Sequence, residues 1–128
     1  GILVPPLWKR GVGEIYYLYA KFSENSNMRP KGILEVNTAS HIFVSGVVQG
    51  VCFRTFVQNN ANALSINGWV RNLNDGRVEA FFEGNKKNVD KMIELCKIGP
   101  LGAKVINTDI NYENYTGQFK DFTIRYRG

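Results

Sequence analysis

The stretch HIFVSGVVQGVCFRTFVQNNANAL, residues 41–64, contains the first change from strand-like to helix-like patterning in the chain. It begins with a short apolar run, HIFVSGVV, that is typical of a strand. Two glycines, Gly46 and Gly50, lie close to the end of that run. Beyond them the apolar residues recur at helical spacing and would form one face of a helix; they are Phe53, Val57, Ala61 and Leu64. The stretch therefore predicts a strand followed, across a glycine-containing turn, by an amphipathic helix.

A hairpin and a second helix follow. NGWVRNL (residues 67–73) and RVEAFFEG (residues 77–84) have strand-like patterns, and the NDG between them is a hairpin signal. The second strand alternates between two sides, with Val78, Ala80 and Phe82 on one and Arg77, Glu79 and Glu83 on the other. NKKNVDKMIELCKIGP (residues 85–100) has apolar residues at helical spacing, and Gly99 with Pro100 would end that helix.

Two further strand-like segments complete the domain. AKVINTDINYE (residues 103–113) places Ile106, Ile110 and Tyr112 on one face, and apolar residues alternate in DFTIRYR (residues 121–127). The order is β-α-β-β-α-β with a short added strand. It predicts the α+β class and the ferredoxin-like split βαββαβ sandwich, with two helices packed on one face of an antiparallel sheet. Because this fold carries many functions, function has to be argued from particular residues.

Composition narrows the class of protein. The 128 residues are 44% hydrophobic, which suffices for a packed core, but no apolar run approaches the ~20 residues of a membrane span. We find no signal-peptide pattern. The two cysteines, Cys52 and Cys96, and the single His41 lack metal-binding spacing, so we expect reduced thiols, no metal and a cytoplasmic location. The net charge of +5 is spread along the chain; it favours anions without specifying nucleic acid.

Residues 1–39 differ from the rest in composition. They contain a Pro-Pro pair and the polar run SENSNMRPKG, which predicts an extension that is disordered or loosely packed on a domain of residues 40–128. The one strand-like piece is EIYYLYAKF, residues 14–22, which could instead be an added edge strand or a partner-binding motif. Met28 leaves open that the native chain starts there.

The turn after the first strand can bind an anion. Glycines let the backbone turn tightly, and the N–H groups around Gly50, together with those of the first helical turn, could form an anion-binding nest. Arg54, at the start of the helix, would be unfavourable beside the positive end of the helix dipole unless an anion lay between them. The alternative is an ordinary glycine turn with a surface arginine. The stretch lacks the Gly-Lys-Ser/Thr of a Walker A motif, and Cys52 and Arg54 are too close in sequence for a cysteine phosphatase loop.

The stretch VSGVVQGVCFRTFVQNNANALSINGWVRNLNDGRVEAFFEG, residues 44–84, resembles the signature region of the acylphosphatases. Two motifs carry the resemblance, GVVQGVCFR (residues 46–54) and GWVRNLNDGRVE (residues 68–79), and FTIRY (residues 122–126) is similar to the family's usual ending. The resemblance implies hydrolysis of the carboxyl-phosphate bond of a small acyl phosphate, without metal or cofactor. It also implies that inorganic phosphate is both product and competitive ligand.

The family's functional positions fall on specific residues of this chain. The resemblance implies that Arg54 and Asn72 are catalytic and that a phosphate cradle is formed, with Arg54, by Val47, Val48, Gln49, Gly50, Val51 and Cys52. Three positions depart from the family pattern. Ser65 stands where glycine is usual, which costs ~1 kcal/mol if φ is positive there. Leu73 replaces a frequent threonine, and Val47 replaces a basic or polar residue.

Three alternative functions are compatible with part of this pattern. RNA-recognition domains share the βαββαβ plan, but GRVEAFFEG lacks their Lys/Arg-Gly-aromatic pattern, and Phe81 and Phe82 point to opposite faces. Domains of this type also begin longer carbamoyl-transferring proteins that continue into zinc-binding cysteine motifs, and a catalytically inactive scaffold is a further alternative. We expect a stand-alone monomeric enzyme with no nucleic-acid or membrane partner.

Overall fold

The computed structural model describes residues 36–128. Most of the predicted extension, including residues 14–22 and Met28, lies outside the described residues. The elements, in chain order, are β1 (Asn37–Val47), α1 (Phe53–Ala63), β2 (Asn67–Asn72), β3 (Val78–Asn85), α2 (Lys86–Ile98), β4 (Lys104–Glu113) and β5 (Phe122–Ile124).

The strands form one five-stranded sheet in the order β4-β1-β3-β2-β5. The pairs β1–β3, β1–β4 and β2–β3 are antiparallel, as predicted, and the split βαββαβ plan is confirmed. β5 joins the edge at β2 in the parallel direction, so the complete sheet is mixed rather than purely antiparallel. The parallel pairing brings Ile124 beside Val70, two residues before Asn72 at the end of β2.

The core lies between the sheet and the two helices. The predicted buried side of β3 is confirmed, since Val78, Ala80 and Phe82 are all buried. The predicted helical faces are buried too; they comprise Phe53, Val57, Ala61 and Leu64 from the first helical segment and Val89, Met92, Ile93 and Cys96 from α2. Each large apolar side chain buried in this way stabilises the fold by roughly 1.5–3 kcal/mol relative to its exposed state.

Two carboxylates on the opposite side of β3 are also buried. Glu79 accepts hydrogen bonds from Arg71 Nε (2.6 Å) and is 2.7 Å from His41 Nε2. Burial raises the pKa of Glu79, but the hydrogen bonds from Arg71 and His41 outweigh it and hold that pKa below its usual range. Glu83 accepts three bonds from Thr116 and Gly117. These contacts explain why two charged residues are only 5% and 2% exposed.

Two local features depart from regular geometry. The register of β4 against β1 passes from Asn107 to Val105, so Ile106 is skipped in a bulge and is 74% exposed. The bulge interrupts the apolar face predicted for Ile106 with Ile110 and Tyr112. Ser65, just beyond α1, has a φ of 55° and therefore adopts the left-handed conformation in which the family's usual glycine would be unstrained.

Candidate active site

The turn between β1 and α1 presents its backbone N–H groups. Gly50 has φ of 75° and Cys52 has φ of 62°, whereas the intervening Val51 is not among the residues with positive φ. Such alternation turns successive N–H groups toward one side, which is how backbone nests bind anions. A Cβ at Gly46 would clash with the backbone oxygen of Lys104, so glycine is required where the chain leaves β1.

The N-terminus of α1 has no side-chain cap. Cys52 occupies the N-cap position without a side-chain hydrogen bond to the helix, and the first turn contains no acidic residue. Within residues 36–128, the N–H groups of residues 50–54 donate to no other group. Unsatisfied N–H groups at a helix N-terminus, together with the helix dipole, favour an anion.

A cavity of about 400 Å³ lies in front of this turn. It brings together the turn, the start of α1 and the end of β2, and it is lined by Val48, Gly50, Cys52, Phe53, Arg54, Thr55, Asn72 and Ile124. Five of the eight predicted site residues therefore share one cavity. The other three predicted residues do not line the cavity. Gln49 and Val51 lie in the turn, and Val47, at the end of β1, is 52% exposed.

Arg54 is the second residue of α1 and is exposed at the cavity. Within the described part of the chain, its guanidinium has no hydrogen-bond or ion-pair partner. A fixed cation beside a positive helix end and free N–H groups raises the local positive potential. This arrangement suits the oxygens of a phosphoryl group, which a guanidinium can contact two at a time.

Asn72 approaches the same cavity from the end of β2 and is 5% exposed. Its Oδ1 is buried and accepts no hydrogen bond within residues 36–128. No hydrogen bond joins the Asn72 side-chain amide to residues 36–128, so the amide retains hydrogen-bonding capacity for a molecule bound in the cavity.

Sequence reasoning missed three residues that line the cavity, namely Phe53, Thr55 and Ile124. Phe53 was predicted only as part of the buried face of α1. Thr55 directly follows Arg54 in the first helical turn, so its sequence position could have indicated it. Ile124 could not be found in this way, because it reaches the cavity only through the parallel pairing of β5 with β2.

The cavity lining contains no histidine, aspartate or glutamate. Among residues 36–128, no group of three metal-ligating side chains could hold a metal ion. Burial raises the pKa of the Cys96 thiol well above its ordinary value, which suits a core residue rather than a ligand or nucleophile.

None of the helices in the described range has the length and apolar character of a transmembrane segment.

Comparison with known proteins identifies relatives that match about two thirds of the chain. The Acylphosphatase family model matches residues 40–124. A protein named Acylphosphatase from Roseiflexus sp. (strain RS-1) is 48% identical over 85 residues, covering 66% of this chain and 91% of that protein.

Solved structures agree with the sequence relatives. The crystal structure of acylphosphatase from Bacillus subtilis is similar with a TM-score of 0.68 and 36% identity, covering 70% of this chain and 99% of that one. Full-length HypF, in its phosphate- and nucleotide-bound form, is similar with a TM-score of 0.67 and 28% identity, but the match covers 76% of this chain and only 13% of that protein.

Proposed function

The chain belongs to the acylphosphatase family, and we propose that Arg54 and the amides of residues 47–52 bind the phosphoryl group of the substrate while Asn72 holds the attacking water. The family activity is the hydrolysis of acyl phosphates, so the chain is a hydrolase with a small acyl phosphate as substrate and phosphate as product.

The chemistry of the substrate explains why so few reactive groups are needed. An acyl phosphate is a mixed anhydride, and its leaving group is a carboxylate that is already stable as an anion. No general acid is needed to expel it, which agrees with a cavity lining without histidine, aspartate or glutamate. What remains is transfer of a phosphoryl group to water, in which positioning and electrostatic stabilisation do most of the work.

Arg54 and the backbone amides each bind some of the phosphoryl oxygens. The guanidinium contacts two of them, and the N–H groups around Gly50 and Cys52 contact the remainder. Negative charge spreads over these oxygens in the transition state, so positive groups held in place stabilise it more than the ground state. The support for this role is that Arg54 has no other partner in the described residues and lies at the uncapped N-terminus of α1.

Asn72 would orient the water, and the single observation that carries the proposal is that its side chain lines the cavity while its amide makes no hydrogen bond with residues 36–128. A water held by the side-chain amide of Asn72 presents a lone pair to the phosphorus atom. Attack forms the new P–O bond as the bond to the carboxylate breaks. The water's proton then passes to a phosphoryl oxygen, because the cavity offers no protein base.

Several broader properties belong to the same proposal. Turnover needs no metal or cofactor, because the guanidinium and amides supply the positive field. Inorganic phosphate competes with the substrate. The enzyme acts as a cytoplasmic monomer without a nucleic-acid partner, and residues 40–128 form the catalytic domain beyond an N-terminal extension.

The test is hydrolysis of benzoyl phosphate, followed by ultraviolet absorbance in the presence of EDTA. Wild type should turn over rapidly. Arg54→Ala should lower kcat/KM by about 1,000-fold or more and abolish competition by inorganic phosphate. Asn72→Ala should lower kcat by about 100-fold or more but leave phosphate competition nearly unchanged.

Asn88→Ala is the matched control, because Asn88 Nδ2 donates to Leu64 O (3.0 Å) away from the cavity. This variant should keep wild-type kinetics. Equal loss of phosphate binding in the Arg54 and Asn72 variants would contradict the division of roles. Activity that disappears in EDTA and returns with added metal would contradict the proposed metal independence.

A further inference from the structure

The side chain of Gln49 leaves the phosphate-binding turn and reaches the hairpin that follows Asn72. Its Nε2 donates to Leu73 O at 2.7 Å and to Arg77 O at 2.9 Å. Leu73 N also donates to Arg77 O at 2.8 Å, so these two residues close the β2–β3 turn. One side-chain amide therefore ties the turn that contains the phosphate-binding amides to the hairpin that contains Asn72.

Arg127 determines the orientation of that amide. Its Nη1 donates to Gln49 Oε1 at 2.9 Å and to Leu73 O at 3.2 Å. Rotating the Gln49 amide by half a turn would place Oε1 against two carbonyl oxygens and Nε2 against a guanidinium. All three hydrogen bonds of the Gln49 amide thus have a matched donor and acceptor in only one orientation.

The backbone of Asn72 is held from a second side. Gly128 N donates to Asn72 O at 3.0 Å, and Asn74 N donates to Gly128 O at 2.9 Å. The side-chain amide of Asn72, by contrast, has no hydrogen-bond partner in residues 36–128. The position of this amide therefore depends on the packing that buries Asn72 and on how firmly the surrounding backbone is held.

We propose that the side chain of Gln49 is a positioning residue, which holds Asn72 and the water it orients at a fixed distance from the phosphate-binding amides, and that Arg127 keeps the Gln49 amide in its working orientation. The inference rests on the proposed role of Asn72. Its physical basis is the steep dependence of in-line attack on geometry, since a displacement of about 1 Å can cost about 100-fold in rate.

The test compares Gln49→Met with Gln58→Met, using benzoyl phosphate and the full chain. Methionine is similar in length to glutamine, adds no charge and removes the amide. Gln58 is the matched control because it is also half-buried and its Nε2 donates to a carbonyl, Phe122 O at 3.2 Å, outside the cavity lining. Gln49→Met should lower kcat by about 10- to 100-fold, with the inhibition constant of inorganic phosphate changed by less than about threefold. Gln58→Met should keep the wild-type kcat.

A double-mutant cycle separates positioning from general damage to the fold. Combining Gln49→Met with Asn72→Ala should give the kcat of Asn72→Ala alone, because the residue being positioned is already gone. Arg127→Met should lower kcat by a smaller factor, about 3- to 10-fold. Because Arg127 is exposed, Arg127→Met should still fold, and it can replace Gln49→Met in the test if that variant does not fold.

Three results would overturn the inference. The first is a kcat of Gln49→Met no lower than that of Gln58→Met. The second is an equal further loss when Gln49→Met is added to Asn72→Ala, and the third is a parallel loss of phosphate binding. An Asn72→Ala variant with the wild-type kcat would instead refute the role of Asn72, and the inference would fall with its premise.

Discussion

Replacing Ser65 by glycine should stabilise the protein. Ser65 has a φ of 55°, a conformation in which Cβ lies close to the following carbonyl oxygen. For a residue other than glycine, this costs about 1–2 kcal/mol. Glycine removes that cost but loses more backbone entropy on folding, by roughly 0.5–1 kcal/mol. At the midpoints of these two ranges, the difference is a net gain of about 0.5–1 kcal/mol in the free energy of unfolding.

No other interaction should offset that gain. Ser65 is exposed, and its side chain makes no hydrogen bond within residues 36–128. Its backbone N–H donates to Asn62 O at 3.2 Å, a bond that glycine can also make. For a domain of this size, a gain of about 0.5–1 kcal/mol corresponds to a rise in Tm of about 2–8 °C.

Urea denaturation followed by circular dichroism measures the effect. Ser65→Gly should shift the midpoint to higher urea with an unchanged m-value, since neither state changes in exposed surface. Ser65→Ala is the matched control, because it removes the hydroxyl and keeps the strained Cβ. The reasoning would be refuted if Ser65→Gly were no more stable than wild type, or if Ser65→Ala were stabilised equally.

Two further predictions concern buried polar and close-packed positions. Because hydrogen bonds from Arg71 and His41 hold the pKa of Glu79 below its ordinary 4.5, the carboxylate stabilises the fold above that pH and loses this contribution as pH falls through the lowered pKa. Glu79→Gln should therefore lower the unfolding free energy by on the order of 1–3 kcal/mol at pH 7 and flatten its dependence on pH below about 4.5. Urea titrations from pH 3 to 7 measure both effects. The same dependence of unfolding free energy on pH in both proteins would contradict this prediction. Gly46→Ala should lower the unfolding free energy by about 2 kcal/mol or more, because a Cβ there clashes with the backbone oxygen of Lys104, and an unchanged Tm would contradict the close approach.

Periodic segments of this protein were predictable because the physics that forms them is local. The stripe of Phe53, Val57 and Ala61 predicted α1, and the alternation in RVEAFFEG predicted the buried side of β3. Gly99 ends α2, as its position after the last apolar residue indicated. The burial of Glu79 was not predictable, because it depends on partners in two other strands.

Part of the candidate site could likewise be predicted from the sequence, and part depends on contacts between distant segments. The motifs of the sequence identified Arg54 and Asn72, and the structure brings both to one cavity although they lie in different elements. The hydrogen bonds of the Gln49 side chain could not be predicted from the sequence, since its partners are 24 and 28 residues away in the chain. Its bond to Arg127 spans 78 residues.

By itself, the sequence determined the kinds of element, their order and the residue types available for binding a phosphoryl group, because spacing along the chain decides which side chains share a helix or strand face. Three features were decided only by the tertiary structure. They are the parallel pairing of β5 with β2, which places Ile124 at the cavity, the bulge at Ile106, and the lack of a hydrogen-bond partner for Asn72 Oδ1 in residues 36–128. These features arise where distant segments meet, and their geometry follows from the pairing of whole strands rather than from any local pattern of residues.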